Sequence, residues 1–191
     1  MTKPFIIGIS GRRGVGKTTS ANFLEYKYGH YKLSFADPLR EIMQILFDMP
    51  KEYMEGMLKE EKCPALDMSY RELGIITGDF LRYVRKDYFI SKLVARIMDI
   101  KGKKSVFVID DVRRMNELEY IKSQGGVLIR IERYDKYLPF KTVISHLSET
   151  ELDKYTDWDY TINECNNVEP DDLYKELDKI VESLRVKGLV K

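Results

Sequence analysis

Short apolar runs alternate with longer segments of mixed polarity along this chain. Five runs are rich in β-branched and aromatic residues: FIIGIS (5–10), YKLSF (31–35), SVFVID (105–110), VLIRIE (127–132) and DYTINE (159–164). Each has the length of a strand. The segments between them read as helices. One starts at Lys17, and a second at Asp37, with the aspartate as N-cap and Pro38 at the first helical position. The stretch 69–101 reads as two helices, another near 113–124 stops at Gly125-Gly126, and the last follows Pro170. Strands alternating with helices predict an α/β fold in three layers, a five-stranded parallel sheet with helices on both faces.

Two intervals break that rhythm. Residues 48–68 are rich in Met, Lys and Glu, and residues 133–157 carry Arg133, Lys136, Lys141 and His146. Long insertions in an α/β domain commonly serve as lids or binding loops. Ser148 and Glu151 have capping-box spacing, which predicts a short helix starting inside the second insertion. With no repeat and no low-complexity linker, 191 residues make one domain.

Composition narrows the partners. Lys+Arg 32 against Asp+Glu 31 leaves a net charge of +1, so neither nucleic acid nor an anionic membrane is expected. Any phosphate site must come from local clustering of basic residues. Cys63 and Cys165 lack metal-ligand spacing and read as reduced thiols. No run approaches the roughly 18 apolar residues of a membrane helix, and Phe5–Ile9 is too short for a secretory segment. A soluble, cytoplasmic protein is expected.

The first strand leads into GRRGVGKT, Gly11 to Thr18, which satisfies G-x-x-x-x-G-K-[ST] between a strand and a helix. Gly11, Gly14 and Gly16 allow a tight turn whose N–H groups converge on phosphate oxygens, and the helix from Lys17 adds its N-terminal dipole. ATP-binding candidates are Gly11, Arg13, Gly14, Val15, Gly16, Lys17, Thr18 and Thr19. Lys17 reaches the β- and γ-phosphates, and the Thr18 hydroxyl completes a Mg²⁺ site.

The metal needs an acidic partner. SVFVID followed by Asp111 ends a strand in two carboxylates, at the edge where ligands of open α/β sheets collect. Asp111 is the first choice for the outer-shell Mg²⁺ contact, Asp110 the alternate, and a helix N-cap role fits as well. A guanine-reading N-K-x-D is absent. Asp99-Ile-Lys-Gly102 imitates the D-x-x-G switch but precedes a strand, which argues against a GTPase. Arg40, Arg82 and Arg113 stand beside strand ends, where planar guanidinium forks suit a second phosphate.

As an ordered set, GRRGVGKTT, SFADPLRE, RELGIITGDFLRYVRKDYF, VIDDVRRMNELEYIKSQGGVLIRIER and HLSETELDKYTDWDYTINE cover most of the chain outside 48–68. In that order they resemble the deoxynucleoside monophosphate kinases of tailed bacteriophages, a branch of the P-loop nucleoside monophosphate kinases. The resemblance implies the P-loop NTPase fold, an acceptor-binding insertion at about 37–89 and a lid at about 133–157. It implies transfer of the γ-phosphate of ATP, with Mg²⁺, to a (deoxy)nucleoside monophosphate, by a monomer or homodimer. Asp37 and Arg40 would border the acceptor nucleotide, and Arg82 would hold its monophosphate. Asp111 and Arg113 would serve metal and phosphates, Glu117 would steady Arg113, and Arg133 would be the lid arginine. With Lys17, these make the catalytic set Lys17, Asp111, Arg113 and Arg133. Phe89 stands where relatives often have Trp. Two alternatives remain at this point: a P-loop kinase for another acceptor, of the phosphomevalonate or dephospho-coenzyme A kinase type, and an ATP-dependent switch protein with no small acceptor.

Overall fold

All five apolar runs become strands of one sheet in the computed structural model, which describes residues 3–54, 58–63, 66–100, 106–134, 146–165 and 170–190. The strands are β1 (Phe5–Ser10), β2 (Tyr31–Leu33), β3 (Val106–Val112), β4 (Val127–Tyr134) and β5 (Tyr160–Cys165). They lie in the order β2-β3-β1-β4-β5, and every pairing is parallel. The helices are α1 (Lys17–Tyr28), α2 (Asp37–Phe47), α3 (Tyr70–Val84), α4 (Tyr88–Ile100), α5 (Met115–Ser123), α6 (Leu147–Thr150) and α7 (Pro170–Val186).

The boundaries depart from expectation in three places. Ala36 caps α2, so Asp37 is its first residue with Pro38 next. A proline is tolerated there because a first-turn N–H has no intrahelical partner, and the Asp37 carboxylate meets the positive end of the helix dipole. β4 runs to Tyr134, so Arg133 is a strand residue in register with Glu164 of β5 and not the first residue of an insertion. Finally, the short helix expected from the Ser148–Glu151 spacing does start inside the second insertion, but one residue before Ser148. Helix α6 starts at Leu147, and the Glu151 carboxylate accepts from the Met115 backbone N–H at 2.7 Å and from Arg114 Nη1 at 2.9 Å. The same S-x-x-E spacing does form a box at Ser69 and Glu72, which opens α3. Spacing permits a box, while Glu151 goes to a buried arginine and a backbone N–H of another helix.

The chain divides into two compact units: residues 1–34 with 96–191, and residues 35–95. In the first, the sheet is packed on both faces. Ile7, Ile9, Val108, Ile129, Ile131 and Ile162 meet Ala21 and Leu24 of α1 and Leu173, Leu177, Val181 and Leu184 of α7. On the opposite face α5 lies close to β1. A Cβ at Gly8 would stand 2.6 Å from Ile121 Cδ1, so only glycine lets helix and strand approach that far. The inner strands β1, β3 and β4 open on near-continuous apolar runs because both faces are covered. All seven residues of β3 are buried, Asp110 and Asp111 included.

The second unit has its own core of Met43, Met49, Met54, Cys63, Tyr70 and Leu73, with Leu39, Phe47, Tyr53, Leu66 and Met68 against it. The described part of the Met-rich interval 48–68 is therefore packed structure around two 3-10 turns, Lys51–Met54 and Leu58–Glu60. Thioether side chains fill the irregular space that short turns leave. Cys63 is a free, buried thiol, as expected. No helix among the described residues is long and apolar enough to cross a membrane.

Candidate active site

The loop between β1 and α1 is shaped for a bound anion. Gly11 has φ +152°, and a Cβ there would lie 2.5 Å from the Ile131 carbonyl oxygen and 2.8 Å from Val15 Cγ2. Gly16, at φ +101°, takes the N-cap position of α1 and offers no side chain to the first-turn N–H groups, and that turn holds no acidic residue. Uncapped N–H groups and the helix dipole thus point the same way, toward a negative ligand. Val15 is buried and anchors the loop, while Thr18 and Thr19 are exposed at its end. Lys17 is 8% exposed, and its ammonium donates to the carbonyl oxygens of Gly11 at 2.8 Å and Arg12 at 2.7 Å. Those bonds hold the charge across the loop, where a phosphate oxygen would compete for it.

The two carboxylates of β3 go separate ways, since successive strand side chains point to opposite faces. Asp110 accepts from the Thr18 hydroxyl at 2.9 Å, with Lys32 Nζ 3.7 Å from the same oxygen. Asp111 accepts from the Ser34 hydroxyl at 2.6 Å. The carboxylate beside the phosphate loop is therefore Asp110, the alternate of the sequence reading. Glu117, 2% exposed, accepts from the backbone N–H groups of Arg113 at 3.0 Å and Arg114 at 3.1 Å. It fixes the main chain that carries Arg113. Arg133 lies two residues beyond Ile131, whose carbonyl abuts Gly11, and so shares Ile131's face of β4.

Charged residues that no sequence motif singles out tie this framework together. Asp153 accepts from Arg12 of the phosphate loop at 2.7 Å, and Arg130 Nη2 lies 3.4 Å from its other oxygen. Arg130 is buried on β4, opposite Ser10, under the ring of Trp158 at 5.4 Å. Arg114 is buried too, paired with Glu151. The only sequence signal was a charged residue inside the apolar run VLIRIE. Lys122 adds a further tie, donating to Asp157, a bond that holds the Asp157 carboxyl below its usual range. Residues 151–157, which fall within the expected lid at 133–157, are thus tied within the first unit to Arg114, Arg12, Arg130 and Lys122. The central part of that lid, 135–145, lies outside the described residues. Replacing Glu151 with Ala is expected to destabilise the protein by about 1–3 kcal/mol, as for a lost partner of a buried charged donor. Urea unfolding checks this, and an unchanged midpoint would show that the tether is slack.

The acceptor candidates lie in the second unit. Asp37 accepts from Arg40 Nη1 at 2.7 Å within the first turn of α2. Arg82, near the end of α3, stands 3.9 Å from Asp79 and lies over the ring of Phe89, 4.5 Å from its centroid. Tyr53 packs against Tyr70 in the core, and Tyr83 is exposed.

A parallel sheet with β1 and β3 side by side, a glycine loop running into α1 and a carboxylate against the loop's threonine define a protein of the P-loop kinase fold. No family model matches the chain. A protein of Acanthamoeba polyphaga mimivirus, named as a candidate deoxynucleotide monophosphate kinase, is 29% identical over 196 aligned positions, which span 93% of this chain and 96% of that one. Among solved structures, the dephospho-CoA kinase from Campylobacter jejuni superposes with a TM-score of 0.53 at 18% identity, over 98% of this chain and 99% of that one. Shikimate kinase from Acinetobacter baumannii gives a TM-score of 0.52 at 16% identity, over 94% of each chain.

Proposed function

We propose that the protein transfers the γ-phosphoryl group of ATP to a (deoxy)nucleoside monophosphate, giving ADP and the corresponding diphosphate. The observation that carries this reading is the phosphate loop with Lys17 and the Thr18–Asp110 pair, in a chain that matches a deoxynucleotide kinase relative almost end to end. An oxygen of the acceptor phosphate attacks the γ-phosphorus in line, and the bond from that phosphorus to the β,γ-bridging oxygen breaks, leaving ADP. The acceptor oxygen is already ionised at neutral pH, so no strong base is needed. What the protein supplies is position and charge stabilisation.

Lys17 and the N–H groups of Gly14 to Thr19 hold the donor phosphates, with Arg13 at the loop. Arg113, its backbone fixed by Glu117, and Arg133 at the end of β4 face the charge that develops on the transferring group. Asp37 and Arg40 border the acceptor, and Arg82 takes its phosphate. The Thr18 hydroxyl would hold Mg²⁺ with the Asp110 carboxylate in its outer shell, and the ion would neutralise charge on the donor phosphates when bound. Asp111, satisfied by Ser34, takes the lesser role there.

The test is ADP release from MgATP across all ribo- and deoxyribonucleoside monophosphates, with phosphomevalonate in the panel. Stimulation by at least one nucleoside monophosphate is expected. Stimulation by phosphomevalonate alone, or slow hydrolysis that no acceptor speeds, would exclude the reading.

A further inference from the structure

Ser10, Gly11 and Arg12, the first limb of the phosphate loop, are each held from outside the loop. Ser10 ends β1 in register with Arg130 of β4, and Arg130 Nη1 lies 3.4 Å from its hydroxyl. Gly11 rests against the Ile131 carbonyl, so close that a Cβ would stand 2.5 Å from its oxygen. Arg12 reaches out through Nη2 to Asp153 at 2.7 Å. Asp153 then closes a circuit, because its second oxygen lies 3.4 Å from Arg130 Nη2. One carboxylate thus takes the loop's exposed arginine on one side and a buried strand arginine on the other.

The base of this clamp is fixed without help from the loop. Leu152, next to Asp153, is buried, and Glu151 is bound to Arg114 and the Met115 N–H. Arg130 lies against the Trp158 ring, and Glu132 stands 3.5 Å from its Nε. The loop is the looser partner, since three glycines between positions 11 and 16 open many alternative conformations to it. A loop that samples several shapes binds its ligand only in the competent one, and its apparent affinity falls by that fraction. The Arg12 main chain matters in particular, because its carbonyl accepts from the Lys17 ammonium at 2.7 Å.

We infer that Asp153 is a positioning residue for the donor nucleotide: through the Arg12 guanidinium it keeps the first limb of the phosphate loop in its ATP-binding shape. The inference rests on the reading above that this loop holds ATP. Arg12→Ala removes the loop's end of the bridge, and with its side chain 66% exposed it disturbs no core. Asp153→Asn keeps the shape and drops the charge, while Glu132 leaves Arg130 a counter-charge. Each should raise the Kd for MgATP by about two- to five-fold, the upper part of what a partly exposed ion pair contributes. The acceptor KM and kcat should stay within about twofold, because bound ATP restores the same loop geometry for the chemical step. Arg12→Lys keeps a cation facing Asp153 and should bind MgATP more tightly than Arg12→Ala.

The experiment is calorimetric titration of MgATP, without acceptor, into the wild type, these three variants and the Arg12→Ala/Asp153→Asn double variant, with steady-state kinetics in both substrates alongside. The expected result is a weaker MgATP affinity in each single variant and no further loss in the double one. If Asp153→Asn leaves the affinity unchanged or tightens it while Arg12→Ala weakens it, Arg12 serves ATP directly and the positioning role is wrong. Losses that add in the double variant, or a rise in acceptor KM as large as that in ATP KM, also overturn it. Wild-type affinity in Arg12→Ala overturns it whatever Asp153→Asn does. Lys17→Ala separates the two levels: if it too binds MgATP like the wild type, the donor reading falls and takes this inference with it. If Lys17→Ala alone weakens binding, the donor reading stands and only the role of Asp153 is lost.

Discussion

Lys17→Ala is expected to lower kcat by about 10²–10³-fold, the loss seen when a pre-organised charge or donor is removed from a developing anion. The reason lies in where the ammonium is held. It is 8% exposed and drawn onto the carbonyls of Gly11 and Arg12, so it meets charge in a setting that water screens weakly. Substrate already carries negative charge at the γ-phosphate, so part of the interaction is present in the ground state and the ATP KM should rise as well. The fall in kcat reports the part that appears only as the phosphoryl group moves. Alanine at the first position of α1 suits a helix, so the variant should still fold, which a cooperative thermal unfolding transition checks. Turnover near that of the wild type in a folded variant would mean that Gly11–Thr18 is not the donor site.

Asp110→Asn and Asp111→Asn separate the two carboxylates. Asparagine keeps the shape and still accepts a hydrogen bond through its carbonyl oxygen, so each variant removes a charge and little else. Asp110→Asn should reduce activity at limiting Mg²⁺ by about ten- to hundred-fold, the usual effect of losing an outer-shell partner, and raised Mg²⁺ should recover part of it. Asp111→Asn should do much less, because its carboxylate is occupied by the Ser34 hydroxyl at 2.6 Å. Activity titrated against Mg²⁺ for both variants gives the ranking. The reverse order would return the metal role to Asp111.

The glycine loop was legible because its chemistry is local. Gly11, Gly14, Gly16, Lys17 and Thr18 are contiguous, and the flanking strand and helix announce themselves by periodicity. The strand positions were legible for the same reason, and so was the parallel α/β class. Strand order was not. That β3 lies beside β1, bringing Asp110 to Thr18 across 92 residues, depends on the sheet's pairing. The identical S-x-x-E spacings at Ser69 and Ser148 make the same point. Glu72 folds back on its own helix start, whereas Glu151 finds Arg114 and the first turn of α5.

The sequence by itself determined that this protein has a triphosphate loop set in a parallel α/β sheet, because loop, strand and helix are each written in neighbouring residues. Tertiary structure decided which of two adjacent aspartates faces that loop, since the pleat sends one carboxylate to α1 and the other to Ser34. It also decided that 151–157 is tied down and that Met49, Met54 and Cys63 of the Met-rich interval are core. A strand's alternation can be read along the chain, but which face meets which neighbour is settled only when the strands pair.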